Sequence, residues 1–360
     1  MSNFDVIVLG AGPAGCAAAI RARQAGLSVV MFDVNASAKA APGETLHPGI
    51  EPLLKQLGVL DQVLQAGFRR HRGVWRVQGE TREFLPYGQD AQGEWLGFQA
   101  DRRVLHRILQ QAAVDAGATL NRNARAEMAL AQADRVTGVV INGTHYQATW
   151  TIDATGRHAW LARQLALETR IGSPPLAARF GWRDEEFANY DGQPAFTFRD
   201  DGWNWQAPLG NHRTAWVELR IGEPGGNSPG GMDLTWVLRP HCAGPGYFLV
   251  GDAAATFDPS SSHGVLRALM SGILCGHLME GWQRAGIAEA MVIDTYRNWV
   301  CEQFAQDELR LRQHYAESPA GRRFAMESIR TIRSSDFQHH NSFPMSSADN
   351  DLSRCSPDSE

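Results

Sequence analysis

Three glycines at residues 10, 12 and 15, in the string GAGPAG, have the spacing that lets a backbone fold around a phosphate. They follow an apolar run, Phe4 to Leu9, and open an alanine-rich segment; Asp33 closes a second apolar run about 20 residues on, completing the βαβ dinucleotide fingerprint. Gly10 permits the tight turn, and Gly12 lets N–H groups, with Pro13 and Ala14 at the start of the helix, approach a pyrophosphate. Gly15 lets helix and strand pack closely, and Asp33 is placed to accept from ribose hydroxyls.

The fingerprint alone does not choose between NAD and FAD. A second segment, PGYFLVGDAAATFDPSSSHGVLRALMSG, does. It reads as a strand over Tyr247 to Val250, then Gly251 and Asp252, a loop carrying Pro259 and His263, and a long helix from about Gly264. A helix N-terminus offers unpaired N–H groups and a positive dipole end, which suits the electron-rich edge of a reduced flavin. Asp252 at the strand end can hold a ribose or ribityl hydroxyl. Glu44, His47 and His263 are the candidate acid–base groups, with backbone donors over Ser262 to Gly264. In GWNWQAPLG, Trp203 and Trp205 stand two apart and so share one face of a strand, as core or as a wall beside a reaction chamber.

The elements that must hold these groups come from a globular chain of 360 residues, 43% hydrophobic and 20% charged, with a formal charge of -5 that argues against a nucleic-acid partner. Five widely spaced cysteines without a CxxC suggest neither a disulfide framework nor a metal site, and a reducing cytoplasm fits them. No targeting signal or membrane-spanning run is read. Residues 334–360 are poor in aliphatic side chains and are expected to form a flexible tail.

The strings GAGPAG (10–15), DRRVLHRIL (101–109), IDATGR (152–157) and GDAA (251–254) resemble, in order and spacing, the FAD-dependent monooxygenases with a glutathione-reductase-like FAD domain. The resemblance implies non-covalent FAD, with Arg102 at the flavin, Ala154 and Gly156 in a turn beside the adenosine, and Asp252 on the ribityl chain. The segment PGETLHPGIEPLLKQLGV (42–59) resembles the loop and helix beside the flavin in halogenases and their relatives, which places Gly43 and Glu44 at the cofactor. The implied fold class is α/β. It is a Rossmann FAD domain (1–65, 99–170, 243–284) with an inserted, mostly antiparallel sheet domain for substrate (66–98, 171–242). C-terminal helices (285–333) complete it. No second GxGxxG follows, so an NAD(P)H-derived reductant binds transiently or serves a separate flavin reductase.

GWNWQAPLG also resembles the tryptophan pair of flavin-dependent halogenases, but the tunnel lysine those enzymes use has no counterpart. AGFRRHRGVWRV (66–77) carries arginines and His71, while Lys39 and Lys55 lie elsewhere. In DPSSSHG, Ser261 stands in the place of the tryptophan halogenases' glutamate. Taken together, GETLHPG, WNWQAPL and DPSSSHGVLRALMSG most resemble flavoproteins that hydroxylate a tryptophan in a partner protein during tryptophylquinone cofactor maturation. That resemblance implies attack of an indole on a flavin C4a-hydroperoxide formed from O2. It also implies a partner that is the precursor of a quinone-cofactor oxidase or dehydrogenase subunit. Arg69, Arg70, His71 and Arg72 would then form the docking surface. The alternative is a hydroxylase or oxidoreductase of a free small aromatic or isoprenoid substrate; halogenation and a non-catalytic assembly role rank lower.

Overall fold

A computed structural model describes residues 2–36, 43–185, 187, 190–210, 212–223 and 231–328. The expected flexible tail, Lys39 and the last residues of the expected helical segment lie outside them.

The first apolar run forms a strand, Ser2–Leu9, in the middle of an eight-stranded sheet. It pairs in parallel with Val29–Asp33 on one side and Thr144–Asp153 on the other, and Tyr247–Leu249 adds in parallel beyond. These strands are near-continuous apolar runs because helices cover the sheet: Val6, Ile7, Val8, Val30 and Met31 are at most 1% exposed. The register decides where chemistry can occur. Leu9 is level with Phe32 and Asp153, and Asp153 with Leu249. Gly10, Asp33, Ala154 and Gly251 therefore emerge together at the carboxyl edge, where open α/β sheets bind ligands. Helices Pro13–Gln24 and Gly264–Ala285 start from that edge and pack tightly, a Cβ on Gly272 meeting the Ala14 carbonyl oxygen at 2.3 Å.

A seven-stranded sheet is built from Gly73–Gln78, Thr81–Pro86 and the strands between Leu176 and Asp233. It is antiparallel except where Ala195–Arg199 runs parallel to Gly73–Gln78. A small sheet of Glu44–Leu46, Gly97–Ala100 and Arg69–His71 stands beside both. The segment VELRIGEPGGNSPGGMDLTW, whose glycines and prolines would suggest a flexible loop, begins as a strand. VELRI belongs to strand Thr214–Ile221, because its alternate residues Val217, Leu219 and Ile221 are buried, whereas residues 224–230 lie outside the described ones. The 28-residue helix Glu289–Ala316 is continuous, as its spacing predicts, and its Tyr296 hydroxyl donates to the Leu249 carbonyl at 2.8 Å. Residues 321–328 are helical and bury Phe324.

No helix among the described residues is long and apolar enough to cross a membrane. Cys16, Cys242 and Cys275 are buried free thiols, and burial raises the pKa of each.

Candidate active site

The glycine loop divides into packed and open positions. Gly10 has φ +99°, and a Cβ there would meet the Ala154 carbonyl oxygen at 2.3 Å; a Cβ on Gly15 would meet the Gly10 oxygen at 2.1 Å. At Gly12, φ is -78° and no atom lies within 4 Å of a Cβ position. Two glycines thus close the backbone on itself and the third leaves a space at the N-terminus of a helix without a side-chain cap. That space suits a pyrophosphate. Asp33 supports the loop: its Oδ2 accepts from Ala11 N at 2.9 Å, and its Oδ1 accepts from Asn35 N and Nδ2 at 2.8 and 2.9 Å. Gln110, unforeseen in the sequence, donates to the Ala11 carbonyl at 2.9 Å from behind.

Ala154 packs against Gly10 and Gly15, and Gly156 leaves open space at φ +67°. Asp153 serves the turn itself. Its Oδ1 accepts from Thr155 N (2.9 Å) and Oγ1 (2.6 Å), and its Oδ2 from Leu161 N (2.7 Å).

Three candidates from distant parts of the chain converge. Arg102 pairs with Glu44 at 3.2 Å, and Asp252 is near enough to both for its charge to act on them. Burial raises the Glu44 pKa, Arg102 pulling it back and Asp252 pushing it further. Asp252 is open to water, yet burial also raises its pKa, against Arg157, Arg267 and Arg102. A carboxyl both wet and crowded lies in a cleft. Arg157, missed by the sequence reading, faces the same cleft; its Nη1 is buried without a partner among the described residues. Pro259 is exposed and Gly264 has no atom within 4 Å of a Cβ position, so this helix start is open as well. The open space at Gly12 and the wet Asp252 on one edge fit an extended dinucleotide such as FAD.

Two of the candidate acid–base groups meet directly: the His47 and His263 rings lie 5.4 Å apart, edge to face. His47 Nδ1 accepts from Gly49 N at 3.1 Å, so a neutral His47 carries its proton on Nε2 and acts as a donor. Burial lowers its pKa, and pushes His263 down to about 4 with help from Arg267. Both are neutral at physiological pH. Tyr87, which no motif flagged, places its ring 4.9 Å from His47 and 5.4 Å from His71, its hydroxyl buried without a partner among the described residues.

The basic stretch 69–72 is corrected in part: His71 and Arg70 are engaged within the fold. His71 is 2% exposed and donates from Nδ1 to the Gly73 carbonyl at 3.3 Å; Arg70 is occupied by Gly97 O, Leu96 O and Glu51, its guanidinium 3.9 Å from the Phe98 ring centre. Arg69 and Arg72 remain exposed. The tryptophan pair does share the inner face of Gly202–Pro208. Trp203 is 0% exposed and donates from Nε1 to Tyr315 Oη at 3.0 Å, which makes it a core residue. Trp205, 6% exposed between Phe196 and Val217, leads to Leu209, whose Cδ2 lies 2.6 Å from where a Gly43 Cβ would stand. The tryptophan strand therefore ends against the Gly43–Glu44 turn.

The FAD binding domain family matches residues 3–193. The chain is 23% identical to a pyrrole-2-carbonyl peptidyl-carrier-protein chlorinase of Pseudomonas fluorescens, over 82% of each chain. It is 26% identical to digeranylgeranylglycerophospholipid reductase 1 of Methanopyrus kandleri, over 77% of this chain and 80% of that one. Among solved structures, the myxobacterial chondrochloren halogenase CndH superposes with a TM-score of 0.78 at 18% identity, covering 94% of this chain and 90% of the other.

Proposed function

Because the chain belongs to the FAD binding domain family, we propose that it is an FAD-dependent monooxygenase that hydroxylates an electron-rich aromatic ring. When bound, FAD supplies the two-electron chemistry that activates O2. The observation that carries the reading is the neutral pair His47–His263 beside the Glu44–Arg102–Asp252 cleft. His47 donates from Nε2 to an oxygen at the reaction centre. His263, whose side chain caps nothing, takes the proton leaving the ring. Trp205 limits water on the substrate side. The halogenase-type lysine and glutamate are absent from the matching positions: strand Arg69–His71 carries none, Lys55 is exposed on helix Glu51–Gln56, and Ser261 occupies the loop.

Two forms of substrate remain. Similarity over most of the chain to a lipid reductase and to a chlorinase of a carrier-borne pyrrole supports a small aromatic or isoprenoid substrate better than a tryptophan side chain of a protein. The strings GETLHPG, WNWQAPL and DPSSSHGVLRALMSG support the peptidyl tryptophan of a quinone-cofactor precursor. One experiment separates them. The protein is incubated with FAD, NADH, a flavin reductase and O2 in the presence of either indole or such a precursor, followed by mass spectrometry. One added oxygen on the precursor alone establishes the peptidyl substrate, and one on indole alone the small substrate. Rapid NADH oxidation with neither product modified refutes hydroxylation of an indole ring.

A further inference from the structure

The segment between Asp252 and the helix at Gly264 is held in an unfavourable shape. Ser262 has φ +55°, a left-handed conformation that costs a non-glycine residue free energy, and the Ser260 and Ser261 hydroxyls are buried without partners among the described residues. Something outside the loop must hold it, and the contacts converge on one carboxylate. Asp258 is 0% exposed. Its Oδ1 accepts from Ser260 N at 2.9 Å, capping the turn Pro259–Ser261, and its Oδ2 accepts from Trp236 Nε1 at 2.7 Å. The Tyr315 hydroxyl, on the C-terminal helix, is near enough to the same carboxylate for the two to interact, and it accepts from Trp203 Nε1 at 3.0 Å. A second tie runs parallel: Arg267, in the first turn of Gly264–Ala285, pairs with Asp307 on the C-terminal helix at 2.8 Å.

We infer that Asp258 is a positioning residue: anchored by Trp236, Tyr315 and, through Tyr315, Trp203, it fixes the 259–263 loop so that His263 and the helix start at Gly264 face the cofactor. Trp203 and Tyr315 thereby act on the flavin site from within the core. Ser260 N and Trp236 Nε1, which bond the two carboxylate oxygens, are both donors, so an amide in its place sets N–H against N–H or loses a bond, although its volume is unchanged.

The test uses full-length protein and reads FAD itself. Dissociation constants come from quenching of flavin fluorescence, and the midpoint potential of bound FAD from dye-coupled reduction. Asp258→Asn is expected to weaken FAD binding at least tenfold and to shift the potential, and Tyr315→Phe, which keeps the ring stacked on Phe324, to show a smaller change of the same sign. Val139→Ala, which opens a void in the separate core cluster behind strand Arg135–Ile141, is the control for general destabilisation. It should lower the melting temperature with FAD affinity and potential unchanged. Wild-type affinity and potential in Asp258→Asn, or equal losses in Val139→Ala, overturn the inference. Should Asp258→Asn fail to fold, Tyr315→Phe decides alone: an unchanged affinity and potential would reject the relay.

Discussion

Two substitutions three residues apart should fail in opposite ways. A Cβ on Gly15 would lie 2.1 Å from the Gly10 carbonyl oxygen and 3.0 Å from Ala154 Cβ, and no rotamer relieves a clash with backbone. Gly15→Ala is therefore an overpacking change costing about 1–3 kcal/mol. With an unfolding entropy near 2.1 cal/mol/K per residue, a chain of 360 residues loses about 1.3 °C per kcal/mol. The apo-protein should melt about 1–4 °C lower. Gly12→Val meets nothing within 4 Å and needs no positive φ, so the apo-protein should lose no more than about 1 kcal/mol, the difference between glycine and an apolar residue at an N-cap. Its isopropyl group would instead occupy the phosphate's place and should weaken FAD binding at least about 100-fold, equivalent to about 2.7 kcal/mol. Scanning calorimetry of the apo-proteins and fluorescence titration with FAD measure the two quantities separately. Wild-type FAD affinity in Gly12→Val would show that the pyrophosphate does not lie over this loop, and the site reading would fall with it.

Trp205→Ala should cost about 3–5 kcal/mol of stability and, in the folded fraction, divert reduced flavin to H2O2; an H2O2 yield equal to wild type, by peroxidase assay, would remove its wall role. His71 is neutral in the fold down to about pH 4, whereas an unfolded histidine protonates near 6.5. The unfolded state thus takes up the proton first, and stability is full above pH 6.5 and falls as pH drops toward 4, by about 3 kcal/mol for this group. Urea melts at pH 7.5 and 5.0 should show the loss in wild type and a reduced loss in His71→Gln; parallel curves would refute the assignment. With bromide and free hypobromite scavenged, no bromo-indole should form, because no lysine stands on strand Arg69–His71 and Ser261 replaces a carboxylate. Enzyme-dependent bromo-indole by mass would restore the halogenase reading.

The dinucleotide edge was legible in the chain because its signals are local. Glycine spacing, an apolar run before it and Asp33 after it specify strand, turn and helix within one segment, and the carboxyl-edge alignment follows from parallel pairing. The helices at Gly264 and Glu289 were legible for the same reason, through their spacing. What approaches the cofactor from elsewhere was not. Tyr87 follows an exposed edge strand and carries no motif, and its contacts with His47 and His71 exist only once the small sheet has formed. The run Arg69 to Arg72 looks from its charges like a surface, yet alternation across the strand and contacts with Gly97 and Phe98 bury His71 and engage Arg70. Asp258 reads as a turn residue before a proline. Its meeting with Trp236 and Tyr315, 22 and 57 positions away in the chain, depends on how three elements pack, and that packing ties Trp203 into the core through Tyr315.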